Sequence, residues 1–532
     1  MRTFLQRSSA PLCAALAVAT AALLVLGAPA AQAQSSDLLS EFEDKVTTFT
    51  LDNGLTFVVV ERHDAPVASF ATYADVGSVD EPVGQTGIAH MFEHMAFKGT
   101  TTIGTENIER ELELLGKQEE IARELRLERA KGAQADTARI NELEAQLEKA
   151  TERAKEPVVQ NEFDRILSQA GMQGMNASTS ADATRYFYSL PANKIELFFA
   201  LESDRFKNPV LREFYTERDV VMEERRTRTE SSPQGRLVEE MLAAAFKAHP
   251  YGQPTVGHMS DLQNLTRTQA RAFYSEYYVP TNLTIAIAGD VQPQRVRELA
   301  RQYFGDIEEQ DPAPPVTTVE PDQISERRVI LREQSQPIVG IGYHRPSGQS
   351  EEDAAYTVLA DVLGGGRTSR FYKQLQETEK ALAAQAVPSF PGDQYANLFI
   401  LFGVPNTAND VGPRQMEEEM YAVIEEIKEE GITQEELERA KTSARVSLIN
   451  GLDSNMGLAL QLAQAEQTAG SWKHAFRQVE EIQNVTAADV QEVARETFTR
   501  DNRTVAYIKN TEDAEPSETA VASPSEQDAS GE

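Results

Sequence analysis

Three residues in one short segment have the types and spacing needed for metal-assisted hydrolysis. His90, Glu93 and His94 stand at i, i+3 and i+4, so they share one face if the segment is helical. Two imidazoles on that face can bind a zinc ion, and the glutamate between them can take a proton from a water molecule. The surrounding residues are largely apolar, which predicts burial, and a metal would satisfy the buried polar groups.

A histidine pair on a helix does not always bind a metal. A pattern with three fixed positions also arises by chance in a chain of 532 residues. The context favours the metal, because the chain has seven histidines and two of them lie in this segment. A buried helix whose histidines are not ligands remains the alternative.

A zinc ion held by two histidines needs a third protein ligand and an open position. The chain's one cysteine, Cys13, lies in an N-terminal segment that we expect to be removed. Carboxylates and the other histidines are therefore the candidates for the third ligand. Glu217 and Glu224 are the best pair, since seven residues are two helical turns and place them on one face.

The residues between these two glutamates indicate whether the carboxylates would be buried. Val220 and Val221 are predicted on the same face, and burying carboxylates beside them is costly unless the carboxylates are paired or bind a metal. Glu223 is rotated away and predicted to meet solvent. An ordinary charged helix is the alternative here.

Residues 1–33 have the pattern of a secretory signal peptide. Arg2 and Arg7 precede an apolar run at 12–27, and a small-x-small cleavage site follows at 31–33. We expect cleavage after Ala33 and a periplasmic or secreted product, with an uncleaved anchor as the alternative. No other segment reaches membrane-spanning length, so no span is expected after cleavage.

The charge balance limits the partners. The formal net charge is -33 at pH 7, which argues against nucleic acid. A solvated acidic surface without a specific role explains the excess most simply.

An internal repeat predicts two related domains. Residues 261–266 resemble 481–486, and at the same offset 282–286 resemble 502–506. Each unit has the pattern of a Thr-capped helix followed by a strand. We therefore predict an α+β chain of two homologous α/β domains. The predicted parts are a first domain at 47–307, a Pro-rich linker at 308–325, a second domain at 326–510 and a disordered acidic tail at 511–532.

A helical hairpin at about 117–157 is predicted to interrupt the first domain. Its composition is rich in Glu, Lys, Arg, Ala and Leu, with apolar stripes at 121–125 and 140–147 on either side of Gly132. This pattern is typical of an antiparallel coiled coil. A tolerated surface insertion is the favoured interpretation, and a docking arm or a rim on the site is the alternative.

Taken together, the motifs resemble those of the M16 (pitrilysin/insulinase) family of zinc peptidases, in its two-domain class of processing-peptidase-like bacterial proteins. The resemblance covers 47–510 and implies a fold of the LuxS/MPP-like metallohydrolase type. It rests on five motifs: His90-x-x-Glu93-His94, Glu217-x6-Glu224, Asn176-Ala177 before Thr184-x-Tyr186, His249-Pro-Tyr-Gly252 and the Gly-rich segment 364–370.

The resemblance implies a role for each site residue. It makes His90, His94 and Glu224 the ligands of one zinc per chain, with Glu93 as the general base and Glu217 supporting His94 or the metal. Asn176 and Ala177 would lie on an edge strand that pairs with an extended peptide. The implied substrates are short or unfolded peptides.

One departure from the family pattern concerns the second domain. Family members active as single subunits carry an Arg-x6-Tyr pair there, but those positions are Gln376 and Ala383 in this chain. Arg367 and Arg370 are close but out of register. We therefore predict the zinc-bearing subunit of a heterodimer, whose homologous partner supplies the pair. A self-sufficient homodimer or monomer is the alternative, and a non-catalytic peptide-binding member is a further one.

Overall fold

A computed structural model of the protein describes residues 39–511 except Glu41. The predicted signal peptide and residues 512–532 of the predicted tail lie outside the described residues. Two separate sheets organise the chain, and helices pack on both faces of each. No helix in the described part is both long and apolar enough to cross a membrane.

The two sheets have matching strand orders. The first is β1-β2-β6-β3-β5-β4, with strands β1 Val46–Thr50, β2 Thr56–Glu61, β3 Val67–Ala74, β4 Gln173–Thr179, β5 Thr184–Pro191 and β6 Leu283–Gly289. The second is β7-β11-β8-β10-β9, with strands β7 Arg327–Glu333, β8 Val339–Arg345, β9 Ala381–Phe390, β10 Asn397–Pro405 and β11 Arg503–Asn510. In each sheet one pair, β2 with β6 and β7 with β11, is parallel. The orders coincide except for the extra edge strand β1, so the predicted pair of homologous domains is confirmed.

The helices follow in chain order. Those of the first half are α1 Ile88–Met95, α2 Ile108–Arg129, α3 Thr137–Ala154, α4 Glu162–Gln169, α5 Ile195–Lys207, α6 Phe214–Arg225, α7 Pro233–Ala245, α8 Met259–Asn264, α9 Arg267–Tyr277 and α10 Pro293–Phe304. Those of the second half are α11 Asp353–Gly364, α12 Pro413–Glu430, α13 Gln434–Asp453, α14 Asn455–Ala469, α15 His474–Asn484 and α16 Ala487–Thr497.

The internal repeat appears as two equal capping arrangements. Thr266 begins α9 and Thr486 begins α16, each in a reciprocal capping box with the residue three positions later. Downstream, the Asn282 side chain donates to the Tyr277 carbonyl and the Asn502 side chain donates to the Thr497 carbonyl, both at 3.0 Å. The sequence repeat therefore encodes the same helix start and the same turn into the following strand.

Each sheet is covered on one face by a helix from the other half. Strand β2 shows why: Phe57 and Val59 face the core of the first half, whereas Val58 and Val60 face α14 of the second half. Conversely, α7 of the first half packs on β11, β7 and β8. Met241 of α7 lies against Gly342 of β8, where any side chain would meet its methyl group. Strands β2 and β6 are largely apolar along their length because both of their faces are buried.

The helical hairpin consists of α2 and α3. The side chains of Gln118 and Thr151 bond across it, as do Arg129 and Glu144, so the helices are antiparallel. Leu125 and Leu143 are buried between them. The first helix begins at Ile108, earlier than the predicted 117, because Asn107 caps it and its first turns bury Leu114 and Leu115.

The predicted linker contains no helix or strand at 308–324. It is nevertheless fixed at Glu320, whose carboxylate accepts the backbone N–H groups of Lys247, Ala248 and His249 at 2.8–2.9 Å.

Candidate metal centre

Helix α1 carries the histidine motif and has an unusual N-terminus. Gly87 precedes it with φ of 88°, a conformation that favours glycine, and a side chain there would collide with Leu262 and the Val256 carbonyl. The half-buried Glu81 carboxylate accepts the N–H groups of Gly87 and Ala89, both at 2.8 Å. These contacts satisfy orphan donors of the first turn and fix the direction of α1.

A buried arginine joins the end of α1 to the start of α6. Arg212 donates to the carbonyls of Lys98, Thr100 and Ile103 in the loop after α1, at 2.6–2.8 Å. Its guanidinium also pairs with Glu111 of α2 at 2.9 Å, and both side chains are fully buried. Because α6 begins two residues after Arg212, this network sets how the two helices face each other.

Three side chains from these helices converge. Atoms of His90, His94 and Glu224 that could bind a metal all lie within 4.8 Å of one another. His90 Nε2 is 3.5 Å from Glu224 Oε1, and His94 Nε2 is 3.1 Å from Glu224 Oε2. The imidazole rings are perpendicular, with centroids 5.0 Å apart.

This group fits a tetrahedral metal ion. Two imidazole nitrogens and a carboxylate oxygen are an established ligand set for zinc, and a tetrahedron with bonds of about 2.0 Å has edges of about 3.3 Å. The two short contacts, 3.5 Å from His90 Nε2 and 3.1 Å from His94 Nε2, reach different oxygens of Glu224. Because one donor atom from each residue lies within 4.8 Å of the others, the residues present fit a divalent metal after small side-chain adjustments.

Glu93 and Glu217 flank the group from opposite directions. Glu93 Oε2 lies 4.0 Å from His90 Nε2, and its side chain is partly open to solvent. Glu217 Oε2 lies 3.6 Å from His94 Nδ1, and its other oxygen contacts Lys98 Nζ at 2.5 Å. Glu217 can thus orient His94 from behind.

The electrostatics of the histidines differ. Contact with Glu217 raises the pKa of His94, whereas burial lowers the pKa of His90. Burial opposes the ionisation of Glu217, but His94 and Lys98 outweigh it and lower the pKa of that carboxyl.

The predictions for α6 hold except at one valine. Glu223 is exposed as predicted, and Val221 is fully buried. The prediction for Val220 is wrong, since its side chain is 47% exposed. The residue lies about 60° from Glu217 around the helix, on the solvent side.

Asn176 and Ala177 lie on β4, the edge strand of the first sheet, next to α1. The Asn176 side chain is exposed and accepts the Ala177 N–H at 2.9 Å. Within the described residues β4 pairs with β5 alone, and the Asn176 side chain occupies one of the backbone donors of the strand. Pairing of this strand with a peptide stays a prediction.

The two positions of the second half that differ from the family's Arg-x6-Tyr pair, 376 and 383, carry no charged side chain. The Gln376 side chain donates to the Ala384 carbonyl at 3.4 Å, and Ala383 is an exposed position on β9. Arg370 is held by Glu436 at 2.8 and 2.9 Å and by the Gly431 carbonyl. Arg367 is exposed.

Sequence reasoning missed three residues that complete the site. Glu81 caps α1, Lys98 pairs with Glu217, and Arg228 pairs with Glu224. Only Arg228 had a local signal, because a Glu–Arg spacing of four residues on a helix allows an ion pair.

Two family descriptions match the chain. "Insulinase (Peptidase family M16)" matches residues 56–122 and 147–258, and "Peptidase M16 inactive domain" matches 264–444. The gap in the first match, 123–146, falls within the helical hairpin.

Known proteins are similar along most of the chain. "Zinc protease PqqE" of Helicobacter pylori is 30% identical over 424 residues, covering 78% of this chain and 82% of that protein. A crystal structure of a protease from Helicobacter pylori has a TM-score of 0.72 and 26% identity, covering 87% of this chain and 99% of that one. The periplasmic protease PqqL from Escherichia coli has a TM-score of 0.65 at 18% identity, covering 88% of this chain and 48% of that one.

Proposed function

The chain belongs to peptidase family M16, the insulinase family, and from this premise we propose that it is a zinc-dependent endopeptidase acting on short or unfolded peptides. One observation carries the proposal: the convergence of His90, His94 and Glu224 within 4.8 Å, with Glu93 beside them. The description of relatives as zinc proteases supports the choice of metal.

The proposed roles follow from the positions of the side chains. His90, His94 and Glu224 would hold the zinc, which when bound supplies Lewis-acid activation of a water molecule and of the peptide carbonyl. Glu93 would take the proton of that water and pass it to the leaving amine. Glu217 would hold His94 in the orientation that points Nε2 toward the metal.

The edge strand β4 would align the substrate. An extended peptide can add to its free edge through main-chain hydrogen bonds, which requires the Asn176 side chain to release the Ala177 N–H. Such pairing selects unfolded or short peptides, since a folded segment has its own main-chain bonds satisfied.

We further propose that the chain is the zinc-bearing subunit of a heterodimer. Gln376 and Ala383 provide neither a cation nor a hydroxyl, and Arg370 is occupied by Glu436. A homologous partner would supply the Arg and Tyr that stabilise the developing oxyanion. A self-sufficient homodimer or monomer is the alternative, and it would need Arg367 or another cation in that role. A non-catalytic peptide-binding protein is a further alternative, against which the complete donor set argues.

A periplasmic or secreted location is proposed from the signal-peptide pattern at 1–33. The description of the Escherichia coli relative PqqL as periplasmic supports it.

The test measures zinc per chain and the hydrolysis of a quenched, unstructured peptide by the purified chain. One zinc per chain and cleavage that Glu93→Gln abolishes would support the peptidase. The variant should keep its zinc, because Glu93 is not among the three converging ligands. One zinc with cleavage only after a homologous partner is added would support the heterodimer, and full activity of a monomer would exclude it. A chain without zinc after purification in the absence of chelators would overturn the proposal.

A further inference from the structure

An exposed cation lies at the mouth of the metal centre. Arg228 Nη1 contacts Glu224 Oε1 at 2.6 Å, and that oxygen is 3.5 Å from His90 Nε2. The Arg228 side chain is 71% exposed, compared with 17% for Glu224. The guanidinium therefore lies on the solvent side of a carboxylate that faces both histidines.

The backbone that carries Arg228 is firmly held. It belongs to a single π-helical turn, Arg226–Glu230, that directly follows α6. On one side Arg225 is buried against Glu239 and the Gly257 carbonyl, and on the other Thr229 is buried. Turns of this kind are rare in proteins, and those that occur are often found at functional sites. A fixed main chain with an exposed side chain can present the guanidinium at a defined position.

The other cations nearby are already committed. Lys98 contacts Glu217 at 2.5 Å, and Arg226 contacts Glu223 at 2.8 Å. Arg228 has Glu224 as its one ion-pair partner within the described part of the chain. A guanidinium has five N–H donors in a planar fork, so most of its donors stay available to a ligand.

We propose that Arg228 is a specificity-determining residue that binds a carboxylate of the substrate peptide close to the cleaved bond. This inference rests on the proposed function. A carboxylate is the matching ligand because it accepts two parallel N–H bonds from a guanidinium. The carboxylate belongs to an Asp or Glu side chain or to the C-terminus of a short peptide. Both sources present the same chemistry.

The test measures peptide binding to the zinc-loaded Glu93→Gln protein, which does not turn over its ligand. Three fluorescent unstructured peptides of equal length are compared: one with an internal Glu and an amidated C-terminus, one with Gln in place of the Glu and an amidated C-terminus, and the Gln peptide with a free C-terminus. We expect one acidic form to bind about tenfold more tightly than its neutral counterpart, as a charged hydrogen bond provides. The pair that shows the difference identifies the source of the carboxylate.

Arg228→Gln, combined with Glu93→Gln, should remove the preference for the acidic peptide. Arg228→Lys in the same background should keep part of this preference. Arg226→Gln is the matched control, because it removes a neighbouring exposed arginine that pairs away from the site. The inference is overturned if the parent shows no preference, if Arg228→Gln retains it, or if Arg226→Gln loses it equally. Loss of zinc from Arg228→Gln would also overturn it, since Arg228 would then act by orienting Glu224.

These outcomes separate the inference from the proposed function. Preferential binding of acidic peptides without any hydrolysis by the wild-type chain, either alone or with a homologous partner added, would count against the peptidase and leave the Arg228 site standing. Hydrolysis without a preference for carboxylates would do the reverse.

Discussion

Each of the two α6 carboxylates beside the histidines, Glu217 and Glu224, has a cation of its own. Glu217 pairs with Lys98 and Glu224 pairs with Arg228, and both carboxylates are largely buried. Glu93, by contrast, has no Lys or Arg within ion-pair distance in the described chain, and its carboxylate lies 4.0 Å from His90 Nε2. No cation therefore holds the Glu93 carboxylate away from a water molecule in the site, which agrees with its proposed role as the base.

Substitution of Glu217 tests whether it orients His94. Glu217→Gln removes the carboxylate 3.6 Å from His94 Nδ1 and leaves Lys98 without its closest partner. We expect zinc affinity to fall by about 10- to 100-fold, as for other groups that support a ligand from behind. Competition with a chelator of known affinity measures the change. Glu223→Gln removes an exposed glutamate of the same helix and should change nothing. Equal affinities in the two variants would refute the role.

At the scale of single residues, the sequence predicts which side chains share a face of one helix. It does not predict which side chains from different helices or loops contact each other. The spacing of His90, Glu93 and His94 and the two-turn separation of Glu217 and Glu224 place each set on one face. Lys98 and Glu81 could not be found this way. Their contacts depend on how the loops around α1 fold back, which no local spacing encodes.

The relative position of α1 and α6 depends on one buried ion pair at the base of the hairpin. Arg212 of the loop before α6 and Glu111 of α2 are both fully buried, and Arg212 also binds three carbonyls of the loop after α1. The base of the hairpin therefore supports the metal centre. The segment 123–146 lies outside the family match.

Replacing Arg212 alone should be strongly destabilising. Arg212→Leu leaves the Glu111 carboxylate buried without its cation, and such a loss costs about 3–5 kcal/mol. Denaturant unfolding of the metal-free protein measures it. The double variant with Glu111→Leu should recover part of the loss, because the unpaired charge is gone while the carbonyl contacts remain lost. If the double variant were less stable by the full sum of the two single losses, the pair would not be coupled.

Element boundaries show where composition misleads. The charged, Ala-rich composition begins at about 117, so it predicts that the hairpin begins there. The helix begins at Ile108, since Asn107 caps it and the turns before 117 bury Leu114 and Leu115 in a small separate core. The internal repeat was a better guide, because the Thr caps and the following Asn are local signals.

The two halves of the molecule are held together because each contributes a helix that packs on the sheet of the other. Helix α14 of the second half lies on β2, β3 and β6, and α7 of the first half lies on β7, β8 and β11. Apolar strands such as β2 and β6 are typical of burial on both faces, but nothing in the sequence indicates which helix covers each face. Any amphipathic helix of suitable length satisfies the pattern, so the choice is made by the fold.

Buried carboxylates cluster where the halves meet. Asp182 accepts from the Tyr251 hydroxyl and from the backbone N–H of Asp393, and Gln394 donates to Asp75. Burial raises the pKa of Asp75 to about 6 and of Asp80 to about 8. In the folded protein these groups therefore hold protons that the unfolded chain releases near pH 4.

The sign of the resulting pH dependence follows. A carboxyl whose pKa is raised on folding contributes stability that is fully present below its unfolded value of 3.8 and is lost as pH rises through the folded value. The contribution of these carboxyls to stability should thus fall between about pH 4 and pH 8. Asp80→Asn should weaken that fall and stabilise the protein at pH 8 by roughly 1–3 kcal/mol, because the amide stays neutral and can still accept the Gly77 N–H. Urea unfolding at pH 5, 6, 7 and 8 measures both effects.

Asp52→Asn removes the same charge from an exposed turn and should leave the slope unchanged. A slope equal to that of the wild type in Asp80→Asn would mean that Asp80 is ionised in the folded protein.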